Sequence, residues 1–189
     1  RLGRVAELRR LWAGQAPEGW DREIPTFEPD PKGLASRDAS GKVLNAIGPN
    51  VPWMVGGSAD LAPSNKTRLE FEGAGDFEWN SYSGRNLHFG IREHAMGAIA
   101  NGMALSGLRP YVGTFLIFSD YMRPPTRLAS MMRLPVVFVF SHDSLGVGQD
   151  GPTHQPIEQL AALRAIPGLL VLRPADANET SEAWRTIIA

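Results

Sequence analysis

The 189-residue sequence has no cysteine, which removes disulfides, thiolate nucleophiles and cysteine-ligated metal centres from consideration. Neither charge is in excess. Nineteen basic against twenty acidic side chains leave a formal net charge of −1, so there is no basic footprint for nucleic acid and no acidic surplus of the kind that accompanies disorder. Long apolar runs are missing as well, the longest being strand-sized and well short of the roughly 18 residues of a membrane helix. No leader pattern opens the chain. These absences predict a soluble protein of a reducing, cytoplasmic compartment, with neither nucleic acid nor membrane as partner. Arg1 in place of an initiating Met predicts a piece of something longer.

What is present is enough apolar material, 43% of the residues, for one full-sized core but not two. The rest of the sequence is arranged around Ser141 to Pro156, SHDSLGVGQDGPTHQP, directly after the apolar run Pro135 to Phe140. That run is β-branched and aromatic and reads as a buried strand. Past its end lie three glycines, a Gly-Pro step, His142, Asp143, Asp150 and His154, at the place where open α/β sheets carry their sites. Glycines let a ligand approach the backbone, and imidazoles and carboxylates bind hydroxyls or exchange protons near neutral pH. Gly146, Gly148 and Gly151 also spell GxGxxG. A dinucleotide fingerprint, however, needs its first glycine in the turn just after the strand and its third inside a helix, whereas here four residues intervene and Pro152 follows.

Taken in order, residues 1–12 predict a helix with Val5, Leu8 and Trp12 on one stripe and Arg1, Arg4, Arg9 and Arg10 around it. The prolines at 17, 25, 29 and 31 predict an extended connection and a domain boundary. Ser36 is placed to cap a helix with Ala39, Val43, Ala46 and Ile47 on one face, ended by Gly48-Pro49. Arg37 in its first turn opposes the helix dipole, which is explained either by an outside anion or by tolerance at the surface. Val51 to Gly57 reads as a strand, and Ser58, Asp60 and Ser64 follow it in a small polar turn. Residues 66–84 read as a long loop, of the kind that is often functional or interfacial.

Asn86 to Gly90 predicts a short strand, and Glu93 then opens EHAMGAIANGMALSG, so free of large polar side chains that burial on most sides is expected. Glu93 is read either as a dipole-favoured helix start paired with Arg92 or as a partly buried functional carboxylate. A further strand to about Leu116 precedes Phe118 and Tyr121. Pro124-Pro125 opens or kinks the next helix. A helix from Ile157 to Ile166, a strand from Gly168 to Leu172 and a last helix capped by Asp176 and Glu179 complete the pattern. Alternating strands and helices predict a three-layer α/β fold, a mostly parallel sheet of five or more strands flanked by helices on both faces. Glu93, Phe118, Asp150 and His154 are expected at or just past the carboxyl ends of those strands.

Five segments, SRDAS at Ser36 to Ser40, GGSADLAPSN at Gly56 to Asn65, IREHAMGA at Ile91 to Ala98, FLIFSDYMR at Phe115 to Arg123 and HDSLGVGQDGPTHQP at His142 to Pro156, closely resemble the transketolase family. The resemblance implies the thiamine-diphosphate-binding fold, with residues 33–189 as the middle, pyrimidine-binding domain lacking its last strand and residues 1–32 as the link from a preceding diphosphate-binding domain. It implies that Glu93 bonds the pyrimidine ring nitrogen and drives the imino form that deprotonates the thiazolium carbon. Phe115, Phe118 and Tyr121 would wall the pyrimidine, and Asp60 would lie near the cofactor. Arg37 and Ser64 would grip the sugar phosphate, while His142, Asp150 and His154 would contact substrate hydroxyls and the reacting carbonyl oxygen. No metal ligand is expected on this chain, because the magnesium and diphosphate belong to a domain that the GDG motif marks, and no such motif occurs here. Gln149 and Pro124-Pro125 depart from the family pattern.

The function so implied is transfer of a two-carbon ketol unit between ketose and aldose phosphates in the pentose phosphate pathway, by a homodimer or by pairing with a diphosphate-binding domain. The alternatives are a non-catalytic assembly module that keeps the fold and the dimer surface, and a nucleotide-binding protein that uses the GxGxxG segment.

Overall fold

The computed structural model describes the backbone of residues 2–189 and the side chains from Val5 onward, so Arg1 and the side chain of Arg4 lie outside the described residues. Helix α1, Leu2–Trp12, forms as its stripe predicts; Val5, Leu8 and Trp12 of the stripe are exposed, Trp12 by 75%, while Leu11 packs against the core. Residues 13–35 are extended and irregular, but they are fastened to the fold. Ile24 is buried, Ser181 Oγ donates to the Pro25 carbonyl, and Phe27 exchanges two hydrogen bonds with the Asn178 amide.

Beyond this strap come α2 (Ser36–Ile47), β1 (Met54–Ser58), the short α3 (Ala62–Asn65), β2 (Asn86–His88), α4 (Glu93–Leu105), β3 (Arg109–Phe115), α5 (Ser119–Met131), β4 (Val137–Ser141), α6 (Gln159–Arg164) and α7 (Ala177–Ile188). The strands form one parallel sheet in the order β2-β1-β3-β4. Parallel neighbours require crossovers, and the helices supply them on both faces, giving the expected three layers. Period-two alternation along β3 decides what each face buries. Tyr111 joins Met54, Val137, Val43, Leu44, Ile47, Trp184 and Ile188 beneath α2 and α7, while Val112 joins Met96, Ala100 and Met122 beneath α4 and α5. Each such side chain contributes about 1.5–3 kcal/mol of burial. The sheet is tight at its centre, since a Cβ at Gly57 would stand 1.8 Å from the Leu87 carbonyl oxygen of the next strand.

Several expectations need correcting. Among the described residues there are four strands, not five or more. Residues Gly168 to Leu172 form no ladder with β4. Ser130 Oγ holds the Pro167 carbonyl at one end, and the Arg173 guanidinium holds Asp143 at the other. Between these ties the run stands off from the β4 edge across a cleft that Val171 and Leu172 line from one side and Val137 to Phe140 from the other. Helix α4 is not buried on most sides: Met96, Ala100 and Ala104 face inward, but Ile99 and Leu105 are 47% and 63% exposed. Ser36 is the first helical residue of α2 and makes no cap, the N-cap position being Ala35. Helix α6 begins at Gln159, not Ile157, because the Gln159 side chain accepts from the Ile157 N–H.

The cap at Asp176 and Glu179 holds with a change of detail, whereas Pro124-Pro125 does not open its helix. Asp176 Oδ1 accepts from the Glu179 N–H, while the Glu179 carboxylate reaches back to the Ala175 N–H. Pro124 and Pro125 lie inside α5, six and seven residues into it, without ending it. The carbonyls that lose their donors belong to Asp120 and Tyr121, both exposed to water. Pro125 also serves the packing: its carbonyl accepts from Asn101 Nδ2 of α4, and Gly97 gives its ring room.

Candidate functional site

All four strands point the same way, so the segments after β2, β3 and β4 open at one end of the sheet. Glu93 starts α4 there, with 6% exposure, and its Oε1 accepts from Thr114 Oγ1 on β3 at 3.4 Å, its one side-chain partner among the described residues. Arg92 turns away and donates to the Phe89 carbonyl, so the expected pairing with Glu93 does not form. A carboxylate oxygen has about two lone pairs, so Glu93 keeps most of its acceptor capacity in a place that water reaches poorly. The adjacent backbone N–H groups of α4 favour its charge.

Phe115 is buried at the end of β3 and is the hub of an aromatic group. Phe118 stacks at 5.8 Å between centroids, His142 at 3.8 Å, and His154 meets both phenyl rings edge-on, 5.9 Å from Phe115 and 5.2 Å from Phe118. Tyr121 extends the group at 6.2 Å from Phe118 but is 65% exposed, so it forms the rim rather than the floor. Residues from the end of β3 and from the segment after β4, as far apart in sequence as Phe115 and His154, thus meet in one wall.

His142 follows β4 with φ 56°, a left-handed backbone that costs a non-glycine residue roughly 1 kcal/mol. The turn aims its ring at Phe115 and at Arg37, whose Nη1 lies 3.1 Å from His142 Nε2. Burial, then the neighbouring Arg37 guanidinium, push the His142 pKa below the usual imidazole value, so the ring is neutral at pH 7. Arg37 stands at the N-terminus of α2, which has no side-chain cap, so unpaired N–H groups and a guanidinium face the same space. A cavity of about 330 Å³ opens beside Arg37 and His142, between the β4 edge and residues 171–174. Glu93, Phe118 and His154 do not line it, so it flanks the aromatic wall.

The loop carrying Asp150 and His154 is two short 3₁₀ turns, Gly148–Asp150 and Pro152–His154, joined at Gly151. With φ 76° and ψ −171°, Gly151 occupies backbone that is open essentially to glycine alone. The GxGxxG segment therefore does not run into a helix as a dinucleotide site needs. The loop is tied at both ends, by Asp143 to Arg173 at 2.6 Å and by Gln159 Nε2 to Asp120 Oδ2 at 2.9 Å. Thr153 Oγ1 lies 2.9 Å from His154 Nδ1, and Nε2 has no hydrogen-bond partner among the described residues.

Asp60 and Ser64 are less closely joined to this group. Asp60 is exposed past the end of β1 in left-handed backbone, and Ser64 is half-buried in α3; no side-chain hydrogen bond links either to the wall. Sequence reasoning missed Thr114, Ser141 and Ser119. Thr114 is fully buried against Glu93, Ser141 Oγ lies 2.9 Å from His142 Nδ1, and Ser119 Oγ is buried without a partner beside Phe118. The register of β3 would have found Thr114, one residue before the wall.

Compared with known proteins, residues 32–189 match the family described as transketolase, pyrimidine binding domain. The chain belongs to the transketolase pyrimidine-binding domain family. Transketolase of Mycobacterium leprae is 59% identical over 194 aligned positions, which cover 98% of this chain and 28% of that protein. Transketolase of Geobacillus stearothermophilus is 58% identical, over 96% of this chain and 27% of its own length. Among solved structures, a Pichia stipitis transketolase complexed with sedoheptulose-7-phosphate superposes with TM-score 0.90 at 48% identity, over 97% of this chain and 28% of that one. This pyrimidine-binding domain thus spans a little over a quarter of the length of its transketolase relatives. No helix among the described residues is long and apolar enough to cross a membrane.

Proposed function

We propose that this chain is the pyrimidine-side part of a transketolase that moves a two-carbon ketol unit from a ketose phosphate to an aldose phosphate. The observation that carries the reading is the buried, under-partnered Glu93 carboxylate next to a wall of Phe115, Phe118 and His154. A buried carboxylate with one 3.4 Å partner invites a donor to complete its shell, and a flat aromatic wall beside it suits a planar ring. These residues fit an aminopyrimidine. Thiamine diphosphate, when bound, supplies the carbon nucleophile that takes up the two-carbon unit.

The chain's own residues divide the remaining work. Glu93 holds a proton at the pyrimidine ring nitrogen, and Thr114 fixes the carboxylate's orientation. Phe115 and Phe118 stack on the ring and exclude water, with Tyr121 at the rim and Asp60 close by. His154 and Asp150 bind the sugar's hydroxyls and its carbonyl oxygen, and His154 Nε2 is free to give or take a proton there. Arg37, the open N-terminus of α2 and Ser64 hold the phosphate group, and the 3.1 Å contact between Arg37 and His142 moves His142 to the same group from the hydroxyl and carbonyl contacts that the resemblance implies. The diphosphate and its Mg²⁺ fall to another domain, met as a fused segment or a partner subunit of a cytoplasmic dimer. An assembly module without turnover has no use for a carboxylate left short of partners at a buried helix start.

Assay of the full-length protein decides the matter. With thiamine diphosphate and Mg²⁺, mass spectrometry of the products of a ketose phosphate and an aldose phosphate should show a two-carbon shift in chain length. Saturating cofactor without such a shift would overturn the reading.

A further inference from the structure

His142 is held at both ring nitrogens. Arg37 has only donors to offer, so at 3.1 Å its Nη1 requires a lone pair on His142 Nε2. The ring is then neutral and its proton sits on Nδ1, where Ser141 Oγ is 2.9 Å away and accepts it. Ser141 is the last residue of β4 and is 8% exposed, so its hydroxyl is as fixed as the sheet. The result is a directed chain, Arg37 to His142 to Ser141, with the ring pressed on Phe115.

The arrangement presents a lone pair at Nε2 where an anion needs a donor. A phosphate dianion presents only acceptors, and a lone pair at Nε2 repels it. We propose that Ser141 is a positioning residue that fixes His142 as its Nδ1–H tautomer, and that binding of a sugar phosphate transfers one proton from solvent to His142 Nε2. The inference rests on the assignment of Arg37 and His142 to the phosphate group. One N–H bond forms at Nε2, buffer loses the proton, and nothing else breaks. The imidazolium then donates from both nitrogens, to phosphate through Nε2 and to Ser141 through Nδ1, so Ser141 keeps its bond in both states. Arg37 is released to the phosphate oxygens.

The surrounding charges favour such a switch. Arg37 from α2 and His154 from the loop oppose a positive ring, as does burial; Asp150 and Asp143 favour it, and Arg173 already neutralises part of Asp143. Without ligand the balance keeps His142 neutral at pH 7. A dianion at contact distance reverses it.

The test uses the full-length enzyme with its cofactor, titrated calorimetrically in buffers of different ionisation enthalpy. Near pH 7.5, above the second phosphate pKa of roughly 6, a ketose phosphate should draw up to about one proton per site, and an unphosphorylated ketol donor none. His142→Asn should abolish the uptake. Ser141→Ala should raise KM for the phosphorylated donor about tenfold more than for the unphosphorylated one and shift the pH at which that KM begins to climb, and Ser141→Thr should restore both. No uptake by the wild type, equal uptake in His142→Asn, or a Ser141→Ala pH profile identical to wild type would overturn the proposal. Arg37→Ala separates the two readings. Equal losses for both donors remove the phosphate assignment itself, whereas a selective loss without proton uptake removes only the proton switch.

Discussion

Glu93, Thr114 and Phe115 sit where a buried strand end meets a buried helix start, each less than a tenth exposed, whereas Asp150 and His154 ride on a largely exposed, glycine-hinged loop that is hydrogen-bonded at its ends and touches the wall through His154. The difference matches the two tasks assigned to the site. Handling a proton on a flat ring calls for a fixed carboxylate in a poorly hydrated place, where electrostatic interactions are stronger. Admitting and releasing sugars of differing length calls for polar groups that water and ligand can reach. His142 joins the halves, stacked on Phe115 on one side and bonded to Arg37 on the other.

The largest expected effect belongs to the buried half. Glu93→Gln in the full-length enzyme should slow deuterium exchange at the thiazolium carbon by roughly 100- to 10,000-fold, the usual worth of a positioned acid-base group. Its thermal midpoint should hold or rise, because removing a buried charge with one weak partner relieves desolvation. Unchanged exchange would make Glu93 a helix-start residue and erase the contrast between the halves. Next comes Arg37→Ala, which should raise KM for phosphorylated donors about 10- to 100-fold, the range of a lost charge-assisted contact, and leave unphosphorylated donors within a few-fold. Steady-state kinetics with both donor types measures the difference.

Much of the contrast could be read from the sequence. Alternating apolar runs and helical stripes placed every strand that formed, and the glycines, histidines and carboxylates after β4 pointed to a polar loop there. What stayed hidden depends on pairing through space. Gly168 to Leu172 has strand chemistry, yet it forms no ladder with β4, and Leu170 ends 63% exposed between the ties at Pro167 and Arg173. Helix α4 is apolar all round, and composition cannot say which face its own fold covers. The partner of Arg37 is 105 positions distant, beyond any local pattern. Thr114 and Ser141 are small hydroxyl residues in strands, and only register turns them toward Glu93 and His142.

A third change probes the loop. Gly151→Ala places a Cβ in backbone that costs about 1–3 kcal/mol for any other residue. Because the segment is surface loop with free space around that glycine, the strain should be relieved locally by moving His154 rather than by loosening the sheet. Turnover should fall about tenfold while the thermal midpoint stays within a degree or two, and a large loss of stability with intact turnover would show the loop to be structural.

The smallest effect sharpens the contrast most, because it asks how firmly the buried half is held. Thr114→Val keeps the shape of a fully buried side chain and removes the hydroxyl that bonds Glu93. At 3.4 Å that bond is long, and a typical hydrogen bond contributes only about 1 kcal/mol net, so its loss should slow thiazolium exchange by no more than two- to fivefold. Thr114→Ser should recover the rate, since it keeps the donor and gives up only a methyl group. If Thr114→Val costs as much as Glu93→Gln, the carboxylate depends on the strand for its position and the two residues act as one unit. If it costs nothing, the helix start alone positions Glu93, and the rigidity of the buried half comes from α4 rather than from β3.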